Sequence, residues 1–309
     1  MRKTFIIIFK ISVTVIVVFF LTERIYDQYD KLSEALTTFF KYPWILLIVL
    51  LLMPFNWLIE ALKWKMSISG IVNISIKLAL IGVLSGISLG FVTPHAVGDY
   101  FARIWTLDHT DRKKTIGPIM LNRVAQLLPT LVFGSLSLYV VFDQLEISTY
   151  NYLGSFPLLL VFISCALFIV SAMLFLKYGK HFKELKSYLN VLRNIAIIDY
   201  AKIIGLSFLR YAIFSVQFII LLSLFDIDIS LVNQFLGVAF IFLCKSVLPT
   251  FNFFNDLGVR EFSAIIYFDV FAIETAPIIL ASLVLWLVNI ALPAILGLFF
   301  IRKFKIEIK

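Results

Sequence analysis

Two stretches of this chain place an acid four residues before an arginine, shortly after a proline. The first reads Thr93-Pro94-His95-Ala96-Val97-Gly98-Asp99-Tyr100-Phe101-Ala102-Arg103. The second reads Pro249-Thr250-Phe251-Asn252-Phe253-Phe254-Asn255-Asp256-Leu257-Gly258-Val259-Arg260-Glu261, with Lys245 one turn before its proline. A four-residue spacing puts each acid and arginine on the same face of a helix. Arg123 and Arg210 lie inside apolar runs, so five cations (Arg103, Arg123, Arg210, Lys245 and Arg260) face only three acids, Asp99, Asp256 and Glu261. A charge at the centre of a bilayer helix costs at least about 2.5 kcal/mol, so such groups pair, face water or contact a ligand. The excess is positive, which suits an anion. Arginine can grip a phosphate bidentately, and a helix that begins inside the membrane adds free N–H groups and the positive end of its dipole. Arg103, Arg260 and Lys245 are the expected phosphate holders. Asp99, Asp256 and Glu261 would orient them or exchange protons, and Arg123 and Arg210 would line the route. Pro94, Gly98, Pro249 and Gly258 would shape the breaks. The alternative for the same residues is a set of locally neutralised helix starts and snorkelling side chains with no ligand.

Other chemistry is poorly represented. Asp27-Gln-Tyr-Asp30 has the DxxD spacing of a Mg²⁺-diphosphate site, but no second metal motif accompanies it, and it reads as a solvated acidic loop. Glu60 and Lys63 read as a pair at a membrane boundary. Trp44, Trp57, Trp64 and Trp105 fall near span ends and are expected to anchor at the interface. His95, His109 and His181 are too scattered for a metal cluster, and Cys165 and Cys244 form neither a CxxC pair nor a disulfide framework. No Ser/His/Asp arrangement, phosphate loop or glycine-rich nucleotide motif occurs. The expectation is therefore no metal, no cofactor and no catalytic residue.

The elements that must position these charges are membrane helices. Hydrophobic residues make up 61% of the 309 and charged residues 15%, and the mean hydropathy is +1.00, a composition that excludes an ordinary soluble domain. The net charge of +8 comes from lysines and arginines beside membrane segments and implies no nucleic-acid partner. Crossing the hydrocarbon takes about 20 apolar residues. Six runs suffice: Phe5–Leu21, Trp44–Leu62, Pro118–Phe142, Tyr152–Leu176, Ile203–Phe225 and Ala276–Ile301. Leu78–Phe91 and Phe235–Leu248 fall short and end at Pro94 and Pro249, each followed by a second helical stretch, Val97–Leu107 and Leu257–Ala272.

The fold expected is an all-α bundle of six full spans plus two Pro-broken re-entrant hairpins, or eight membrane segments if the hairpins are counted as spans. Loop lysines and arginines put both termini in the cytoplasm, with the hairpins entering from opposite faces, a possible inverted repeat of the transporter kind. Residues 1–309 read as one integral-membrane domain with a retained first span and no soluble domain. Lys177–Lys202 reads as a basic amphipathic connection on the inner leaflet.

The two broken motifs resemble those of the lysylphosphatidylglycerol synthase transmembrane-region family, also described as flippase-like. Thr93-Pro94, Gly98-Asp99 and Arg103 match its first motif, and Pro249, Leu257-Gly258 and Glu261 its second. Arg123 in Leu121-Asn-Arg-Val is similar to a family Glu-Arg segment. His95, the Thr250–Asn255 turn, Asn122 and Gln126 depart from the family pattern. The resemblance implies the flippase-like part alone, without the soluble aminoacyl-transferase domain and its lysine transfer. It implies movement of an anionic phospholipid or a polyprenyl-phosphate-linked lipid across a bacterial cytoplasmic membrane. The alternatives are an integral-membrane enzyme acting on a lipid phosphate, with Asp99 or Glu261 as base, and a non-catalytic partner of a separate envelope enzyme.

Overall fold

The computed structural model describes residues 29–93, 96–107, 112–144, 191–192, 195–225, 227–248 and 253–301. Among these the chain is helical, with no strand. The elements are α1 (Tyr29–Lys41), α2 (Pro43–Ser67), α3 (Ile76–Val92), α4 (Val97–Trp105), α5 (Ile116–Gln144), α6 (Ile197–Leu222), α7 (Leu231–Val247), α8 (Phe253–Asp269), α9 (Thr275–Trp286) and α10 (Leu292–Ile301).

Four helical stretches are long and apolar enough to cross a membrane: Pro43–Ser67, Ile116–Phe142, Ile197–Phe225 and Thr275–Ile301. They correspond to four of the six expected spans; Phe5–Leu21 and Tyr152–Leu176 lie outside the described residues, as does most of Lys177–Lys202. Pro43 opens α2 at the first helical position, where its missing N–H is no loss. The last span is not a uniform helix. A π segment, Leu287–Ala291, joins α9 to α10. Pro293 follows it and lacks the N–H an α-helical ladder would need there. Asn289 Nδ2, within this segment, donates to the Leu285 carbonyl one turn earlier at 3.2 Å.

The two short helices before the breaks are built alike. Both α3 and α7 have 17 residues and a serine N-cap: the Leu78 N–H donates to Ser75 Oγ and the Asn233 N–H to Ser230 Oγ, each at 3.2 Å. They are longer than the sequence runs suggested. At about 1.5 Å per residue each extends about 25 Å, roughly one turn less than a typical hydrocarbon core.

The chain divides into two compact units. One comprises residues 1–52, 130–161 and 213–289, the other 53–129, 162–212 and 290–309, so all four spans contribute residues to both. In the second unit α3 and α4 fold back tightly on each other. Ala96, between them, is left-handed (φ 52°, ψ 34°). Thr93 Oγ1 donates to the Leu89 carbonyl and accepts the Gly98 N–H, both at 2.8 Å, which staples the end of one helix to the start of the next. Gly98 lies so close to the Leu89 carbonyl that a Cβ there would strike backbone. Gly297 of α10 packs equally closely on Leu84 and Ser88 of α3, and Ser88 Oγ donates to the Ala294 carbonyl. Lipid gives apolar helices little reason to associate, so close backbone approach through small residues is what holds such pairs.

In the first unit α7 and α8 meet through rings. Gly237 leaves room for Tyr267 and Phe268. Tyr267 lies 5.7 Å from Phe240 and 5.4 Å from Phe268 between ring centroids. Phe133 meets Phe235 edge-on at 5.0 Å, and Phe214 meets Phe242 at 5.6 Å.

Candidate functional site

One face of α2 carries a polar stripe: Asn56, Glu60, Lys63 and Ser67, at steps of four, three and four residues, all buried. Such spacing keeps the side chains on one side of a helix. Glu60 is the hub. Its Oε1 accepts Arg103 Nη2 at 3.1 Å, and its Oε2 accepts Lys63 Nζ at 3.3 Å and Arg210 Nη1 at 3.4 Å. Arg103 Nε donates to Asp99 Oδ1 at 2.7 Å, one turn back on α4, and Asp99 Oδ2 accepts Arg123 Nη2 from α5 at 2.7 Å. Amides complete the network. Lys63 donates to Gln126 Oε1 at 3.0 Å, Arg210 Nε to Asn56 Oδ1 at 2.7 Å, and Asn122 Nδ2 to Ser67 Oγ at 3.0 Å. Gly86 makes the arrangement sterically possible, since a Cβ there would collide with the Asp99 carboxylate.

Aromatic rings line the cations. Arg103 lies over Trp64 at 5.7 Å, Arg210 over Trp57 at 4.7 Å and Arg123 over Tyr100 at 5.2 Å. Trp57 and Trp64 are therefore not the interfacial anchors expected of them: both are buried against guanidinium groups. Trp44 and Trp105 are exposed. Glu60 and Lys63, likewise, are not an isolated boundary pair but the centre of the cluster.

Among the described residues four cations share two carboxylates in this network, a surplus of two positive charges. Nη1 of Arg103 is buried and has no hydrogen-bond partner among the described residues. The side chain of Arg123 is 45% exposed, against 6% for Arg103 and 15% for Arg210, so Arg123 forms the open edge of the cluster. In a poorly screened setting, surplus cationic donors with one N–H group unspent suit an anion.

Of the residues expected at the site, Asp99, Arg103, Arg123 and Arg210 converge here, with Gly98 forming the adjacent turn. Arg260, Glu261 and Lys245 belong to the other unit. There Arg260 and Glu261 are buried on α8, Glu261 Oε1 accepts Ser282 Oγ from α9 at 2.9 Å, and Lys245 is half-buried on α7. Gly258 lies within α8. Pro94, Pro249 and the side chain of Asp256 lie outside the described residues. Among the described residues no group of three or more His, Cys, Asp or Glu could hold a metal ion.

Asn56, Glu60, Lys63 and Gln126 had not been counted as site residues. Their signal was present in the period of the polar stripe on α2 and in the Asn122/Gln126 spacing on α5, both within spans that should otherwise be apolar.

Comparison with known proteins bears on the whole chain. No curated protein and no solved structure matches it. The family model for the lysylphosphatidylglycerol synthase TM region matches residues 7–297, and with nearly its full length covered the chain belongs to that family.

Proposed function

We propose that this multi-pass membrane protein of lipid metabolism or transport is a flippase-like carrier. It would bind an anionic phospholipid or a polyprenyl-phosphate-linked lipid by its phosphate and move it across a bacterial cytoplasmic membrane, with both termini on the cytoplasmic side. The observation that carries the reading is the buried surplus of positive charge around Glu60 and Asp99, with Arg103 Nη1 unspent. Hydrocarbon alone gives no reason to keep such a surplus. Within its own unit Arg103 would hold the phosphate, with Asp99 orienting it or exchanging protons and Arg123 and Arg210 flanking the route; within the other, Arg260 and Lys245 would play the holding part and Asp256 and Glu261 the orienting one. The two helix breaks would act as opposed re-entrant hairpins of an inverted repeat.

An enzymatic reading is less well supported. Asp99 accepts from two arginines, one at each oxygen, so the candidate base within the charge network is already engaged as an acceptor. The deciding measurement is reconstitution in liposomes that carry fluorescent anionic lipids, with dithionite bleaching the outer leaflet. Bleaching should pass the outer-leaflet limit with the wild-type protein and stop at it with Arg103→Gln. Traces equal to those of protein-free liposomes for every lipid class would sink transport.

A further inference from the structure

The charge balance of the network narrows the ligand. Lys63, Arg103, Arg123 and Arg210 bring four positive charges, and Glu60 and Asp99 two negative ones. A phosphodiester headgroup carries one negative charge and leaves half the surplus in place. A terminal phosphomonoester carries nearly two above its second pKa of about 6, and a diphosphate carries at least as much. Among headgroups with a single phosphoryl site, these cancel the surplus and a diester does not. They also offer more unesterified oxygens than a diester, to a cluster in which Arg103 holds a buried, unbonded Nη1 and Arg123 an exposed edge.

We infer that the network selects lipids ending in a phosphomonoester or diphosphate over phosphodiester lipids. The inference rests on the anionic-lipid reading above and specifies its substrate class. The selecting groups would be those of the network on each packed element: Glu60 and Lys63 on α2, Asp99 and Arg103 on α4, Arg123 on α5 and Arg210 on α6.

The test uses the purified full chain in a neutral detergent, titrated with short-chain phosphatidate, phosphatidylglycerol or phosphatidylcholine. Tryptophan fluorescence reports binding, because Trp57 and Trp64 lie on the cluster arginines. At pH 7 phosphatidate should bind at least about tenfold tighter than phosphatidylglycerol, because it places an extra charge among partly desolvated cations. At pH 5, where both lipids carry about one charge, the ratio should shrink towards one. Arg123→Gln should also narrow it, whereas Arg123→Lys, which keeps the charge, should preserve it. Glycerol phosphate separates two sources of the same chemistry. Weaker binding than phosphatidate assigns the site to a lipid; equal binding upholds the charge preference and assigns it to a soluble ester. Equal affinity for phosphatidate and phosphatidylglycerol at pH 7, or a ratio untouched by Arg123→Gln, would overturn the inference and leave anionic-lipid binding standing. Binding of neither anionic lipid would overturn both.

Discussion

The two helix pairs that flank the chain breaks start alike and are held together differently. Each begins with a serine-capped helix of 17 residues. After that, α3 and α4 close through glycine against backbone, and the unit around them is crosslinked by ion pairs from four helices. The pair α7 and α8 closes through Tyr267 and Phe268 against Gly237 and Phe240, with Glu261 accepting from Ser282 and Cys244 hydrogen-bonded to Ser263 beside it. Ring packing sums many weak dispersion contacts and degrades gradually when one is altered. A buried charge network cannot degrade in that way, because removing one member strands the others. The Glu60 network is therefore brittle, and brittleness is tolerated where the charges have a task.

The sharpest break of that contrast is Glu60→Gln against Glu261→Gln. The first withdraws a negative charge from Lys63, Arg103 and Arg210 together and should cost about 3–5 kcal/mol, seen as a large drop in melting temperature in detergent or failure to accumulate in the membrane. The second alters a site that accepts a hydroxyl from Ser282 and should cost about 1–2 kcal/mol. Equal losses would erase the distinction. Gly98→Ala against Gly237→Ala probes the packing itself. The Cβ at Gly98 meets the immovable Leu89 carbonyl and should cost about 3 kcal/mol. At Gly237 it meets the Phe268 and Tyr267 ring edges at 2.7 and 2.9 Å, which can shift, and about 1 kcal/mol is expected. Thr93→Val removes the acceptor of the Gly98 N–H and should cost about 1 kcal/mol, with Thr93→Ser restoring most of it. The smallest effect has the opposite sign. Ala96→Gly relieves a left-handed alanine, and after glycine's entropy cost a gain of about 0.5 kcal/mol in thermal stability remains.

The spans were legible because a membrane helix must be apolar for about 20 residues, and Pro43–Ser67, Ile116–Phe142, Ile197–Phe225 and Thr275–Ile301 all satisfy that. The break before Asp99 was legible from Pro94, but its geometry was not. The left-handed residue is Ala96, a type with no preference for that conformation, and the staple is Thr93, whose partners are backbone groups. Half the charge network was visible as the Asp99/Arg103 spacing. Its hub was not, because Glu60 meets Arg103 and Arg210 from positions far along the chain, and helical period reveals which residues share a face but not which faces meet. Trp57 and Trp64 misled for a related reason: the position of a tryptophan near a span end does not say whether the ring faces lipid or a neighbouring guanidinium.

The way Glu60 is shared also bears on how the protein can be made. Glu60 and Lys63 neutralise each other within one helix, and Asp99 and Arg103 do so within another, so each segment can leave the translocon with its charge already balanced. Among the described residues, Arg123 and Arg210 have no such companion on their own helices in the network and meet carboxylates on segments synthesised before them. The order of synthesis thus delivers acceptors ahead of the cations that need them, and a permuted chain that presented the Arg210 helix first would have to insert a bare guanidinium.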